Sequence, residues 1–218
     1  MERFFILDKF NTWYDWRLYL TSKDISDPEP NTNYIKLDGM NGTLDLSESL
    51  TGEITYQDRT ISATFWTDAG TRVERERLMR TIITALHGKK IKIIEPDNPD
   101  YYLYGRVKIK SKKNIIPYLE FTIEATCEPW RYAIEDTVRT ISVSSSTATN
   151  AVFYIEGVKT LCPTISVTGS VTITYNGAEI ALTTGKYKIA DIKFRQGSTV
   201  IGVSGNGSVT FTYKEADL

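Results

Sequence analysis

The chain has 218 residues, 41% apolar and 24% charged, ordinary values for a globular protein with enough apolar material for a packed core. Its net charge of −1 argues against a surface built to neutralise nucleic-acid phosphates, which needs an excess of Lys and Arg. No apolar run approaches the roughly 20 residues that span a bilayer, so no membrane insertion is expected.

The opening "MERFFILDKFNTWYDW" carries charges at Glu2, Arg3 and Asp8 and no small-residue cleavage site, so it does not fit a secretory leader. The next stretch, "PEPNTNYIKLDGMNGTLDLSESLTG" (residues 28–52), is polar and turn-rich yet regularly spaced. Tyr34, Ile35 and Leu37 suit a short strand, and Leu44, Leu46 and Leu50 follow two glycines. Long loops in compact domains are usually functional or disordered. The leucines here either pack on a neighbouring molecule or fold back onto their own domain, and both readings stand open.

"TISATFWT" alternates Ile61, Ala63 and Phe65 with polar residues, the period of a half-buried strand. "TRVERERLMRTIITALHG" then predicts an amphipathic helix with Leu78, Met79, Ile82, Ile83 and Leu86 on one face. Thr71 and Glu74 form a capping box, Gly88 is a natural stop, and Lys89 and Lys90 complement the negative helix end. Strands follow in "KIKIIE" (Ile91, Ile93), "YYLYGRVKIKS" and "YLEFTIEATCEP", the last two separated by a hairpin end at "KKNIIP". Leu119, Phe121, Ile123 and Ala125 share one face of the final strand. This half is expected to be α+β, with antiparallel sheets, one helix and a β-hairpin.

Composition changes near residue 135. All four tryptophans lie before it, and Ser, Thr, Val and Gly dominate after it. Two domains are expected, 1–135 and 136–218, with "EDTVRTISVSSSTATN" as the polar junction. In "VTITYNGAEIAL", Asn176-Gly177 supplies a two-residue hairpin turn. Short β-like runs at regular intervals predict an all-β sandwich, with "GVSGNG" as a further hairpin turn and a bulge or strand break between Ile189 and Ile192.

Chemistry finds little support. Cys127 and Cys162 are far apart and expected to be two buried thiols of a chain made in a reducing cytoplasm. His87, at the helix end, is expected to complement the dipole rather than catalyse. One His and two isolated Cys do not make a zinc set, and no phosphate-binding glycine loop is present. Acidic pairs such as Asp45 with Glu48, or Asp97 with Asp100, carry no sign of a shared cleft. No enzymatic activity, catalytic residue, cofactor or metal is therefore expected. A carbohydrate-binding sandwich would offer exposed aromatic faces, whereas Tyr175, Tyr187, Phe194, Phe211 and Tyr213 fall at alternating, core-like positions.

The ordered succession "NTWYDWRLYLTSKDI", "PEPNTNYIKLDGMNGTLDLSESLTG" and "YQDRTISATF", with the ending "YNG…TGKY…TFTYKEADL", resembles the distal tail (Dit) proteins of long-tailed siphophages. The resemblance spans nearly the whole chain and implies a virion structural protein, synthesised in the host cytoplasm and placed at the distal end of the tail. It further implies a homo-hexameric hub whose tail-tube-like N-terminal domains ring a channel, while galectin-like or carbohydrate-module-like C-terminal sandwiches project outward. Implied partners are the tail tube protein, the C-terminus of the tape measure protein, and the tail-associated fibre or lysin protein. DNA would pass the channel without specific binding. The alternative is a carbohydrate-binding module for adhesion to the host surface. On the hub reading, the candidate interface residues are Trp13, Tyr14, Trp16, Tyr34, Leu44, Leu46 and Leu50, and the candidate channel-facing acids are Asp38, Asp45, Glu48 and Glu53.

Overall fold

The computed structural model describes residues 4–68, 70–115 and 117–218, with backbone alone at Ser111 and Ile115. The protein is mostly β, with antiparallel pairing and one helix among the described residues. It divides into two compact units, Met1–Arg131 with Leu218, and Tyr132–Asp217. Glu2, Arg3 and the Ile116 of the expected hairpin end lie outside the described residues.

The first unit holds β1 (Ile6–Leu7), β2 (Phe10–Asn11), β3 (Tyr19–Ile25), β4 (Tyr34–Ile35), β5 (Leu44–Asp45), β6 (Arg59–Thr67), α1 (Arg72–Leu86), β7 (Lys90–Ile94), β8 (Tyr101–Ile115) and β9 (Tyr118–Ala133). Its main sheet runs β2-β1-β7-β8-β9-β6-β3, and β4 pairs with β5 apart from it. Period-two alternation places Ile61, Ala63 and Phe65 of β6 beside Ala125, Ile123 and Phe121 of β9 on the core face. Burial of each such large side chain is worth about 1.5–3 kcal/mol. On β8 and β9 the polar residues carry paired charges, Lys110 with Glu124 at 2.5 Å and Lys113 with Glu120 at 3.7 Å; Lys90 of β7 meets Glu128 at 2.6 Å.

Helix α1 begins as its sequence dictates. Glu74 N–H donates to Thr71 Oγ1 at 3.3 Å, and Thr71 N–H donates to Glu74 Oε2 at 2.6 Å. That return bond holds the Glu74 carboxyl below its usual range. Gly70 makes room for it, since a Cβ there would lie 2.1 Å from Glu74 Oε2. The buried face differs from the expected one: it is Arg75, Met79, Ile82 and Leu86, with Leu78 half-buried and Ile83 exposed. Arg75 tolerates burial because Nε donates to Asn114 Oδ1 and Nη1 to the Gly70 carbonyl. Replacing Thr71 with alanine is expected to cost about 1 kcal/mol, read as a lower midpoint in thermal circular dichroism.

The second unit departs further from expectation. Instead of several short strands it has four long ones, β10 (Thr137–Ile155), β11 (Thr164–Tyr175), β12 (Ala178–Lys188) and β13 (Gly197–Tyr213). They form one sheet in the order β10-β13-β11-β12. The Ser/Thr-rich run expected as a junction is β10 itself, polar because residues 144–150 are exposed. "GVSGNG" is no hairpin turn but the middle of β13. There the register shifts at Ser145/Thr149 and Val167/Ser170 meet Gly169 and Gly205, whose φ angles are 92° and 112°. Bulges beside glycines bend a sheet. The Asn176-Gly177 turn forms as expected, with φ of 51° and 80°, and β12 breaks before Ile189. Phe153, Phe194, Phe211 and Tyr213 pack within the core of this unit.

Candidate assembly surface

Residues 28–54 form an arm on the first unit. Its neck is a short antiparallel closure: Pro30 bridges Tyr56, Asn31 N–H donates to the Thr55 carbonyl, and Gln57 N–H donates to the Glu29 carbonyl. Beyond it β4 and β5 pair Tyr34 with Asp45 and Ile35 with Leu44. Gly39 and Gly42, at φ of 83° and 85°, turn the chain between these strands. Asp45 accepts from both the N–H and the hydroxyl of Ser47, which holds its carboxyl below the usual range.

Most of the arm's apolar side chains are uncovered. Leu50 is 98% exposed and Tyr34 58%; Ile35, Leu37, Met40, Leu44 and Ile54 are also exposed, while Leu46 is half-buried. Leu44 and Leu50 thus do not fold back onto their own unit, while Leu46 is partly covered. The candidate acids share the arm: Asp38, Asp45 and Glu48 are exposed and Glu53 is half-buried.

A second aromatic surface lies nearer the start of the chain. Asn11 Oδ1 accepts from Trp13 N–H and Tyr14 N–H, while Asn11 N–H donates to Asp15 Oδ2, closing the turn that presents both rings. Trp13 meets Tyr19 edge-on at 4.8 Å, and Tyr19 stacks on its cross-strand partner Trp66 at 4.4 Å. Tyr14 is 69% exposed and Trp13 half-buried. Trp16 is different: it is buried in its own core and stacked on Phe10 at 4.9 Å, so it has almost no surface to offer a neighbour. Tyr19 and Trp66 were not singled out from sequence; their signal is the pairing of an aromatic in each of two alternating strands.

The reactive side chains are occupied structurally. His87 Nδ1 accepts from Ile109 N–H at 3.1 Å, which ties the ring to strand β8. Lys90, expected to complement the helix end, is held by Glu128. Burial pushes the Cys127 thiol up to about 12, so it stays a thiol at neutral pH. Cys162, expected buried, is half-buried, and its Sγ donates to the Ile189 carbonyl. No group of three or more His, Cys, Asp or Glu arranged to hold a metal occurs among the described residues. The second unit bears an open cleft of about 610 Å³ lined by hydroxyls, including Ser144, Ser170 and Thr172, with Asn206 and no aromatic ring.

No family model matches the chain, nor does any curated protein sequence. Among solved structures eight chains match. One is the SPP1 Dit protein (gp 19.1), described as a paradigm of the hub adsorption apparatus in phages infecting Gram-positive bacteria. The likeness has a TM-score of 0.72 at 14% identity and covers 99% of each chain. At that identity it establishes the fold alone: over practically its whole length, this chain has the fold of SPP1 Dit.

Proposed function

We propose that the protein is the distal tail hub of a long-tailed phage, a structural and non-enzymatic virion protein joining the tail tube to the tail-tip apparatus. The observation that carries this is the fold shared end to end with SPP1 Dit. The uncovered arm supports it, because contiguous exposed apolar surface marks a site of association. On this reading the chain closes a homo-hexameric ring through residues 1–135, an α+β domain, around a channel that DNA crosses without specific binding. Residues 136–218 form the outward module, of the galectin or carbohydrate-module type. The partners are the tube protein above, the end of the tape measure protein, and a fibre or lysin protein below. Of the candidate interface residues, Trp13, Tyr14, Tyr34, Leu44, Leu46 and Leu50 keep surface for this role.

Adhesion to host sugars through the second unit is the lesser reading. The hydroxyl-lined cleft favours it, but large rings supply the stacking surface of most sugar sites, and this cleft has none.

The test is multi-angle light scattering with negative-stain microscopy on the full chain over a range of concentrations. The expected result is a particle of six 24.7 kDa chains with a central hole, at least at the highest concentrations. A monomer at every concentration, with or without the tube protein, would sink the ring.

A further inference from the structure

The first unit segregates its charge. The arm carries five acids, Glu29, Asp38, Asp45, Glu48 and Glu53, against the single base Lys36. Helix α1 is the reverse: its carboxylates are taken up locally, Glu74 by the cap and Glu76 by Lys112 and Asn114. Its outward arginines are held more loosely: Arg72 and Arg77 act on Glu76 and Glu74 only through space. Among the described residues the guanidinium groups of Arg77 and Arg80 form no hydrogen bond or salt bridge, and both residues are exposed. With them on the outer side lie Val73, 58% exposed, and Ile83, 38% exposed. The stripe from residue 73 to 83 therefore runs apolar, basic, basic, apolar over about 15 Å of helix.

The arm has the opposite sign and matching apolar content. Asp38 and Glu48 are exposed, and their carboxylates have no hydrogen-bond partner among the described residues; Leu44 and Leu50 of the same arm are exposed too. Neither surface covers the other within one chain, since the apolar side chains of both stand exposed. We propose that the arm of one copy lies along helix α1 of the next, its acids against Arg77 and Arg80 and its leucines against Val73 and Ile83. The inference rests on the ring reading above and names the contact that closes it. Two different, complementary patches on one chain make a head-to-tail interface, the kind that generates rings. Arm-to-arm pairing is opposed by like charge, so the second copy's helix is the fitting occupant.

The test is a charge swap in the full chain. Asp38→Arg with Glu48→Arg reverses the arm, and Arg77→Glu with Arg80→Glu reverses the helix. All four positions are exposed, so each variant is expected to fold, checked by circular dichroism. Sedimentation velocity should show each reversal weakening association at least tenfold and the quadruple variant recovering most of it. Wild-type association should also weaken as salt rises from about 0.05 to 0.5 M, because exposed charges are screened. A ring that survives either reversal overturns this docking and leaves the hub reading intact. Loss in both reversals without recovery in the quadruple variant also overturns it. A wild-type chain that never associates removes the hub's ring and this contact together.

Discussion

Gly169→Ala is expected to destabilise the second unit by about 3 kcal/mol. Gly169 sits at φ of 92°, where an added Cβ would come within 2.4 Å of the Asn206 carbonyl oxygen and 2.9 Å of Gly207 Cα. Both obstacles are backbone of the adjacent strand β13, paired to Gly169 across the sheet, so no side chain can swing aside. A non-glycine residue in this φ region costs of order 1–3 kcal/mol before any clash. The control is Gly177→Ala. That residue has φ of 80° but nothing within 4 Å of its missing Cβ, so only the strain of about 1 kcal/mol remains. Calorimetric unfolding of the full chain should show the Gly169 variant losing more than twice as much as the Gly177 variant. Equal losses would mean that the strands do not approach closely at the bend.

The second large effect has the opposite sign. Arg59→Met is expected to stabilise the first unit by about 2 kcal/mol, a rise in midpoint of roughly 4–8 °C. Arg59 is fully buried, and among the described residues none of its three guanidinium nitrogens finds a hydrogen-bond partner. Burial, and then the charge of Arg131, holds its pKa below the ordinary arginine value, with Asp27, Cys127 and Glu95 only partly opposing. The folded state thus binds this proton less tightly than the unfolded chain does. The resulting penalty is fully present at neutral pH and is relieved only as pH rises through the depressed value. Methionine fills much of the same space, brings no charge and leaves no partner orphaned. A fall of similar size in the melting midpoint would show that the guanidinium contributes more than its burial costs.

Much of the fold could be read from local pattern, and the errors have identifiable causes. Thr71 and Glu74 announce the helix start because a capping box involves only neighbours in sequence. The helix face slipped by a residue because an arginine is buried there. Its acceptors, Asn114 and the Gly70 carbonyl, include one 39 residues away, which no local pattern reports. "GVSGNG" was misread because a hairpin turn and a strand bend ask for the same residue, and only the neighbouring backbone tells them apart. Residue type alone puts Trp16 at an interface, yet its burial and its stacking on Phe10 make it a core residue. The arm's existence was legible from its glycines and turn residues. Whether Leu50 would find cover depended on what else lay within reach, and this unit provides nothing.

On the proposed ring reading, the acidity of the arm also bears on the chain before it assembles. A chain holding Leu50 and Tyr34 in water is a solubility hazard, since identical sticky segments meet whenever two molecules collide. Glu29, Asp38, Asp45 and Glu48 give every such segment the same sign, so collisions between like arms are repelled at the place where they would otherwise adhere. The charge that would steer the arm toward helix α1 of the next copy in the proposed contact would also keep separate copies dispersed.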